Sequence, residues 1–287
     1  MMTCTACVEL QTCFCHRFLQ LIVIRIFHTA MSKLVNVSED AEYKLVGLLC
    51  TTPVVQDSFK DAKKLLRAIL EQGNIGRLVA VPTEEGVSAV SILAALLEKV
   101  NDGSRSQLLN DLADAITRSG NGDPSSATKE VALLATLYNM STDPADKVGL
   151  LAQMIKLASS REPSLLESST SALGKWMDAS RLSGMLDEWN IQPTGRRELY
   201  HAAAEGAQTA LSKQQFTLLV VETYSKSDVD SIGIEYAKKA AIGAIRDPVS
   251  LFVQQRKMLS LPAIEALSQN DGESFPREAC STCSNDD

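Results

Sequence analysis

Leu182-Ser-Gly-Met-Leu-Asp-Glu-Trp-Asn-Ile-Gln-Pro-Thr-Gly-Arg-Arg-Glu-Leu-Tyr200 is the stretch that decides how this 287-residue chain reads. Leu182, Met185, Leu186 and Trp189 stand at i, i+3, i+4 and i+7, one apolar face of a helix. Asn190 and Pro193 end that helix, and Thr194 is placed to cap the next one. The block therefore reads as a short helix, a tight turn and the start of a second helix.

The same pattern runs outward in both directions. Apolar residues at helical spacing predict helices over 56–72, 87–100, 106–119, 126–140, 146–159, 165–178, 194–211 and 227–245. Prolines 53, 82, 124, 144, 163, 193, 248 and 262 all sit where this periodicity pauses. Proline inside a helix costs about 3 kcal/mol, whereas at the first helical position it costs almost nothing. Asp123-Pro124, Asp143-Pro144 and Asp247-Pro248 fit a helix start, with Asp accepting the orphan N–H bonds. Phe216-Thr-Leu-Leu-Val-Val221 is the one strand-like run, and its helical neighbours predict a buried helix instead.

Composition points the same way. Hydrophobic residues make up 45% of the chain, typical of a globular protein, but aromatics only 5%, which favours helices over a β-sandwich. Helices of this length joined by short turns suggest antiparallel pairs stacked as a solenoid. No strict repeat signature recurs, so the expected fold is all-α, an irregular right-handed helical-repeat solenoid of the tetratricopeptide or HEAT kind.

The two ends differ from this body. Residues 1–30 hold Cys4, Cys7, Cys13 and Cys15 and the run Phe18-Leu-Gln-Leu-Ile-Val-Ile-Arg-Ile-Phe27. A membrane span needs ~20 consecutive apolar residues, and this run is shorter and carries Arg25. Neither a secretory signal nor a mitochondrial presequence fits its charge and composition. Met31-Ser-Lys-Leu reads as an ordinary cytosolic start, so residues 1–30 are expected to be a non-core extension that need not be translated. Residues 31–271 form the expected helical-repeat domain, and 272–287 are polar and aperiodic, an expected disordered tail.

Chemistry is hard to find. His16, His28 and His201 are the only histidines, which leaves a triad or a zinc-binding His-Glu-x-x-His nothing to work with. Cys4-x-x-Cys7 with Cys13, Cys15 and His16 has metal-ligand flavour but no turn framework around it. Cys280-x-x-Cys283 lacks the βαβ setting of a redox motif. Of the seven cysteines only Cys50 falls in the body, which suits a reducing compartment. A net charge of -7 and a pI near 5.2 supply no broad footprint for phosphate. The basic pairs Arg196-Arg197, Lys238-Lys239 and Arg256-Lys257 are candidate interface residues. Trp176 and Trp189 read as core anchors first and interface hot spots second. No catalytic, cofactor-binding or metal-ligating residue is expected.

Three blocks resemble one known family. They are Arg105-Ser-Gln-Leu-Leu-Asn-Asp-Leu112, then Glu188-Trp-Asn-Ile191 with Arg197-Glu-Leu-Tyr200, then Ile245-Arg-Asp-Pro248 with Leu251-Phe252 and Leu259-Ser-Leu-Pro-Ala263. In order and spacing they resemble the M subunit of eukaryotic translation initiation factor three, a PCI-domain family, over residues 105–271. The resemblance implies a cytoplasmic, non-catalytic scaffold that supports pre-initiation complex assembly on the small ribosomal subunit. Its implied partners are the other subunits of that complex and, through them, the ribosomal subunit, with no small-molecule substrate, cofactor or membrane. The family continues past Leu267 into a winged helix, so this chain is expected to be truncated before that module. A PCI subunit of the COP9 signalosome or proteasome lid, or an adaptor tethered to membrane through residues 18–27, remain the alternatives.

Overall fold

The computed structural model describes residues 61–270, apart from 73, 101–102, 121–123, 168–170 and 247–257, together with Leu45, Leu48 and Leu49. Among the described residues the chain is mostly helical and forms no strand, so the fold is all-α. The helices are α1 (Ala62–Gln72), α2 (Gly76–Ala80), α3 (Thr83–Glu98), α4 (Arg105–Ser119), α5 (Pro124–Met140), α6 (Pro144–Arg161), α7 (Ala179–Glu188), α8 (Pro193–Gly206), α9 (Ala210–Glu222), α10 (Ser231–Arg246) and α11 (Pro262–Asn270). Short 3-10 turns at Pro163–Leu166 and Gly174–Trp176 lie between α6 and α7.

Proline placement explains most of the starts. Pro124, Pro144, Pro193 and Pro262 open α5, α6, α8 and α11, and Pro82 stands just ahead of α3. Asp143 accepts a hydrogen bond from the Ala145 N–H at 2.9 Å, the cap expected of an Asp-Pro start. Asp178 and Thr209 cap α7 and α9 in the same way, accepting from the N–H groups of Arg181 and Ser212. Phe216, Val220 and Val221 are fully buried within α9, so the strand-like run is a buried helix. Prolines 53 and 248, Cys50 and both terminal segments lie outside the described residues.

Several expected boundaries are corrected. No α-helix spans 165–178. Ser171 donates its hydroxyl to the Leu165 carbonyl and accepts from the Gly174 N–H at 2.8 Å, so side-chain bonds replace helical ones. The 194–211 helix ends at Gly206, and Leu211 belongs to α9. Thr194 is not the cap of α8: the helix starts one residue earlier, at Pro193, whose missing N–H needs no partner there. The chain is not helical at Asp61, where a 56–72 helix would have continued. Asp61 instead accepts from the Lys63 N–H at 3.0 Å and begins α1.

Packing follows the order of the chain. α1 rests on α3, α3 on α5, α5 on α6, α6 on α8, α8 on α9, α9 on α10 and α10 on α11, with α4 against α2 and α6. α6 is central. Val148, Leu150, Leu151, Ala152, Met154, Ile155, Leu157 and Ala158 bury most of its circumference. On α8, Gly206 sits against Ile155 and Ser159 of α6, and the small, buried Ala202 and Ala203 share its face. A Cβ at Gly206 would stand 2.9 Å from Leu166 Cδ1 and 3.3 Å from Ile155 Cγ2, so any larger residue would have to push the Leu166 tip aside.

One buried charge ties α4, α5 and α6 together. Glu130 is 0% exposed and accepts from Arg161 Nη1 at 2.7 Å, and Arg161 Nη2 donates to the Thr117 carbonyl at 2.7 Å. The Ser126 hydroxyl donates to the other Glu130 oxygen at 3.1 Å. Gly120 leaves the space for this cluster, since a Cβ there would fall 1.7 Å from Glu130 Oε1. Removing the carboxylate strands a guanidinium that is mostly out of water. Glu130→Ala is therefore expected to cost about 3–5 kcal/mol in urea unfolding, and a midpoint within error of the parent would show that the pair is not needed.

Candidate interaction surface

The α7–α8 joint is built from the block that opened the sequence reading. Asn190 takes the left-handed conformation, with φ of 51°, one that asparagine tolerates better than most residues. The Ile191 N–H then reaches back to the Leu186 carbonyl and the Asn190 N–H to that of Asp187, both at 3.0 Å, which satisfies the last carbonyls of α7. Arg196 is stitched onto this turn. Its Nε donates to the Ile191 carbonyl at 2.6 Å, Nη2 to that of Leu186 at 3.3 Å, and Nη1 to the Asp187 carboxylate.

Arg197 points the other way, into the α9–α10 turn. Its guanidinium lies 3.7 Å from the ring centre of Tyr224 and donates to the Thr223 carbonyl at 3.0 Å and Asp228 Oδ2 at 2.7 Å. Arg197, with help from the Ser225 hydroxyl and N–H, pulls the Asp228 carboxyl from its ordinary 3.8 down to about 2. Burial, reinforced by the Asp230 charge, pushes the Tyr224 phenol up to about 12.

The lysine pair on α10 divides. Lys239 pairs with Glu235 at 2.9 Å and Glu205 at 3.4 Å, and its ammonium sits 4.6 Å from the Tyr236 ring centre. The buried Tyr236 donates its O–H to Glu205 at 2.8 Å, which, with Lys239, holds that carboxyl below its usual range. His201 completes the group, its ring 4.9 Å from that of Tyr236. Lys238 is exposed on the outer face, one and two turns before Ile242 and Ile245, which are 50% and 69% exposed. Ile234 and Ala241 share that face, half-buried. Arg256 and Lys257 lie outside the described residues.

So among the described residues the basic candidates are not gathered into a patch. Arg196, Arg197 and Lys239 are engaged within the fold, and Lys238 faces outward among aliphatic side chains. Sequence reading missed Tyr224 and Asp228 as the partners of Arg197, and it missed the outer line of α10. The spacing of Lys238, Ile242 and Ile245 at i, i+4 and i+7 was a signal for that line.

Trp176 and Trp189 both pack against the core yet stay half-buried. Arg181 lies 5.0 Å over the Trp176 ring, and the Lys147 ammonium sits between Tyr138 and Trp189 at 5.6 and 5.8 Å. A groove of about 390 Å³ runs between α7 and α9, lined by Ser183, Gln215, Leu218, Leu219 and Glu222 among others, and among the described residues none of the basic candidates lines it. Among the described residues no group of three His, Cys, Asp or Glu side chains is placed to hold a metal, and no helix is long and apolar enough to cross a membrane. The Cys-rich segments and residues 18–27 fall outside those residues. No family model, no curated protein and no solved structure matches the chain.

The Asp228 contact has a pH signature. A carboxyl depressed in the fold stabilises it above its ordinary 3.8, and that contribution is lost as pH falls through about 2. The difference in thermal midpoint between the parent and Asp228→Asn should therefore shrink over this acid interval and stay constant above it. A difference that does not change with acidification would mean that Arg197 holds the turn without its partner's charge.

Proposed function

We propose that this chain is a non-catalytic scaffold of the translation initiation factor three complex, supporting pre-initiation complex assembly on the small ribosomal subunit. The observation that carries the reading is the ordered run of three blocks, at 105–112, 188–200 and 245–263, that resemble the M subunit of that factor. On this reading the row of packed helices from α1 to α11 is an irregular right-handed solenoid of the kind that precedes a PCI winged helix. Its partners are the other subunits of the complex, met in the cytoplasm, with the ribosomal subunit engaged through them. Two features support a surface role over a pocket. The outer line of α10 exposes Ile242 and Ile245 around a cation, and apolar centres of this kind suit protein partners. The half-buried Trp176 and Trp189 add aromatic area of the type enriched at interfaces.

The test is affinity purification of the tagged chain from its own cells, with mass spectrometry of what comes with it and a family member as positive control. Recovery of initiation-factor subunits with small-subunit ribosomal proteins is the expected result. A double variant, Ile242→Asp with Ile245→Asp, should cut that recovery about 10-fold while leaving the thermal midpoint nearly unchanged, because both positions are exposed. Recovery of signalosome or proteasome-lid subunits, or of no subunit while the control succeeds, would overturn the assignment.

A further inference from the structure

We infer that one water molecule is built into the junction of α3, α4, α5 and α6, held by Arg105 and Ser141 beside the buried Asp146. Arg105 opens α4 and binds Glu98 of α3 through Nη2, at 2.5 Å. Its Nη1 faces Asp146 Oδ2 of α6 at 3.7 Å, too far for a direct hydrogen bond. The Asp146 side chain is only 5% exposed, and Ser141, just past the end of α5, is 6% exposed. Three polar atoms in this junction are buried with no hydrogen-bond partner in the fold: Arg105 Nε, Ser141 Oγ and Asp146 Oδ2. Buried groups of this kind are satisfied in the great majority of proteins, and a gap beyond 3.5 Å between them is the usual sign of a bridging water.

The space agrees with that chemistry. A cavity of about 10 Å³ lies there, bordered by Arg105 and Ser141 and walled by Leu97, Leu109, Leu137 and Met140. That is about the room one water needs and too little for phosphate or any organic group. The donor set also selects the ligand. Arg105 Nε can only donate, which rules against a metal cation, while the Glu98 carboxylate on the cavity wall rules against an anion. Water alone accepts from Arg105 Nε and exchanges either way with the Ser141 hydroxyl. The site would link the α3–α4 and α5–α6 connections, which no direct bond between Arg105 and Asp146 does.

Two measurements on the full chain decide it. A crystal structure that orders solvent should show a water within hydrogen-bond distance of Arg105 Nε and Ser141 Oγ; a dry cavity, or Arg105 bonded directly to Asp146, would overturn the inference. Ser141→Ala reads the same point by sign. If the water is there, losing a partner lowers the thermal midpoint by about 2–4 °C. If the cavity is dry, the substitution removes an unsatisfied buried hydroxyl, and a midpoint that stays level or rises would sink the proposal.

Discussion

The described body depends on one constraint, that α6 must be covered on most of its circumference. A helix apolar nearly all round is stable only inside other structure. Leu150 and Leu157 need cover on one side, Val148 and Ala152 on another, Leu151 and Ile155 on a third. α4, α5, α8 and the Pro163–Leu166 turn all press on it. The alanines of α8 decide how closely this cover sits. Large side chains at Ala202, Ala203 or Gly206 would hold α8 off and open the core around Ile155 and Leu166. The two helices are therefore complementary in volume: α6 supplies the bulk and α8 the room.

Charge does the joining where apolar packing stops. Arg161 with Glu130, Arg196 with the α7–α8 turn, Arg197 with Tyr224 and Asp228, and Lys129 with the Val79 carbonyl at 3.2 Å each fasten a connection to a neighbouring helix. Carbonyls at helix ends lack partners of their own, and a long cationic side chain from an adjacent helix satisfies them. This use of arginine and lysine explains why basic pairs in the sequence are poor guides to a binding surface here. Most of the charge counted in Arg196-Arg197 is spent on intramolecular contacts.

The helices of the body were legible because apolar spacing and proline placement agree there. α5 and α6 follow directly from those two signals and α4 from spacing, whereas α9 follows only from the helical character of its neighbours. The 165–178 segment misled because Leu166, Leu173 and Trp176 carry apolar character regardless of backbone shape, while the hydroxyl of Ser171 captures the bonds a helix would use. α2 went unseen because five residues are too few to show a period. Asp178 and Thr209 are hidden as caps because apolar spacing runs helices over 165–178 and 194–211. The candidate surface was less legible than the fold. Nothing local to Arg197 names Tyr224 or Asp228, since that contact exists only once α8 and α9 have packed. Nor does the Lys238-Lys239 dipeptide say that one lysine faces Glu205 and the other faces out; that follows from the phase of α10 against its neighbours.

The outer line of α10 bears on how far the proposed scaffold role can reach. A stacked helix leaves to its neighbour the face that its predecessor did not cover, and a terminal helix that ends a stack needs a polar outer face. Ile234, Ala241, Ile242 and Ile245 around Lys238 are not such a face. Yet the exposed parts of two isoleucines are worth only roughly 2–3 kcal/mol on burial, whereas micromolar association requires about 8 kcal/mol. The α10 line cannot therefore carry a stable complex alone. Under the scaffold reading, binding must be spread along several helix faces, each contributing little, and the cation at Lys238 serves registration more than affinity, excluding partners that present no acid opposite it.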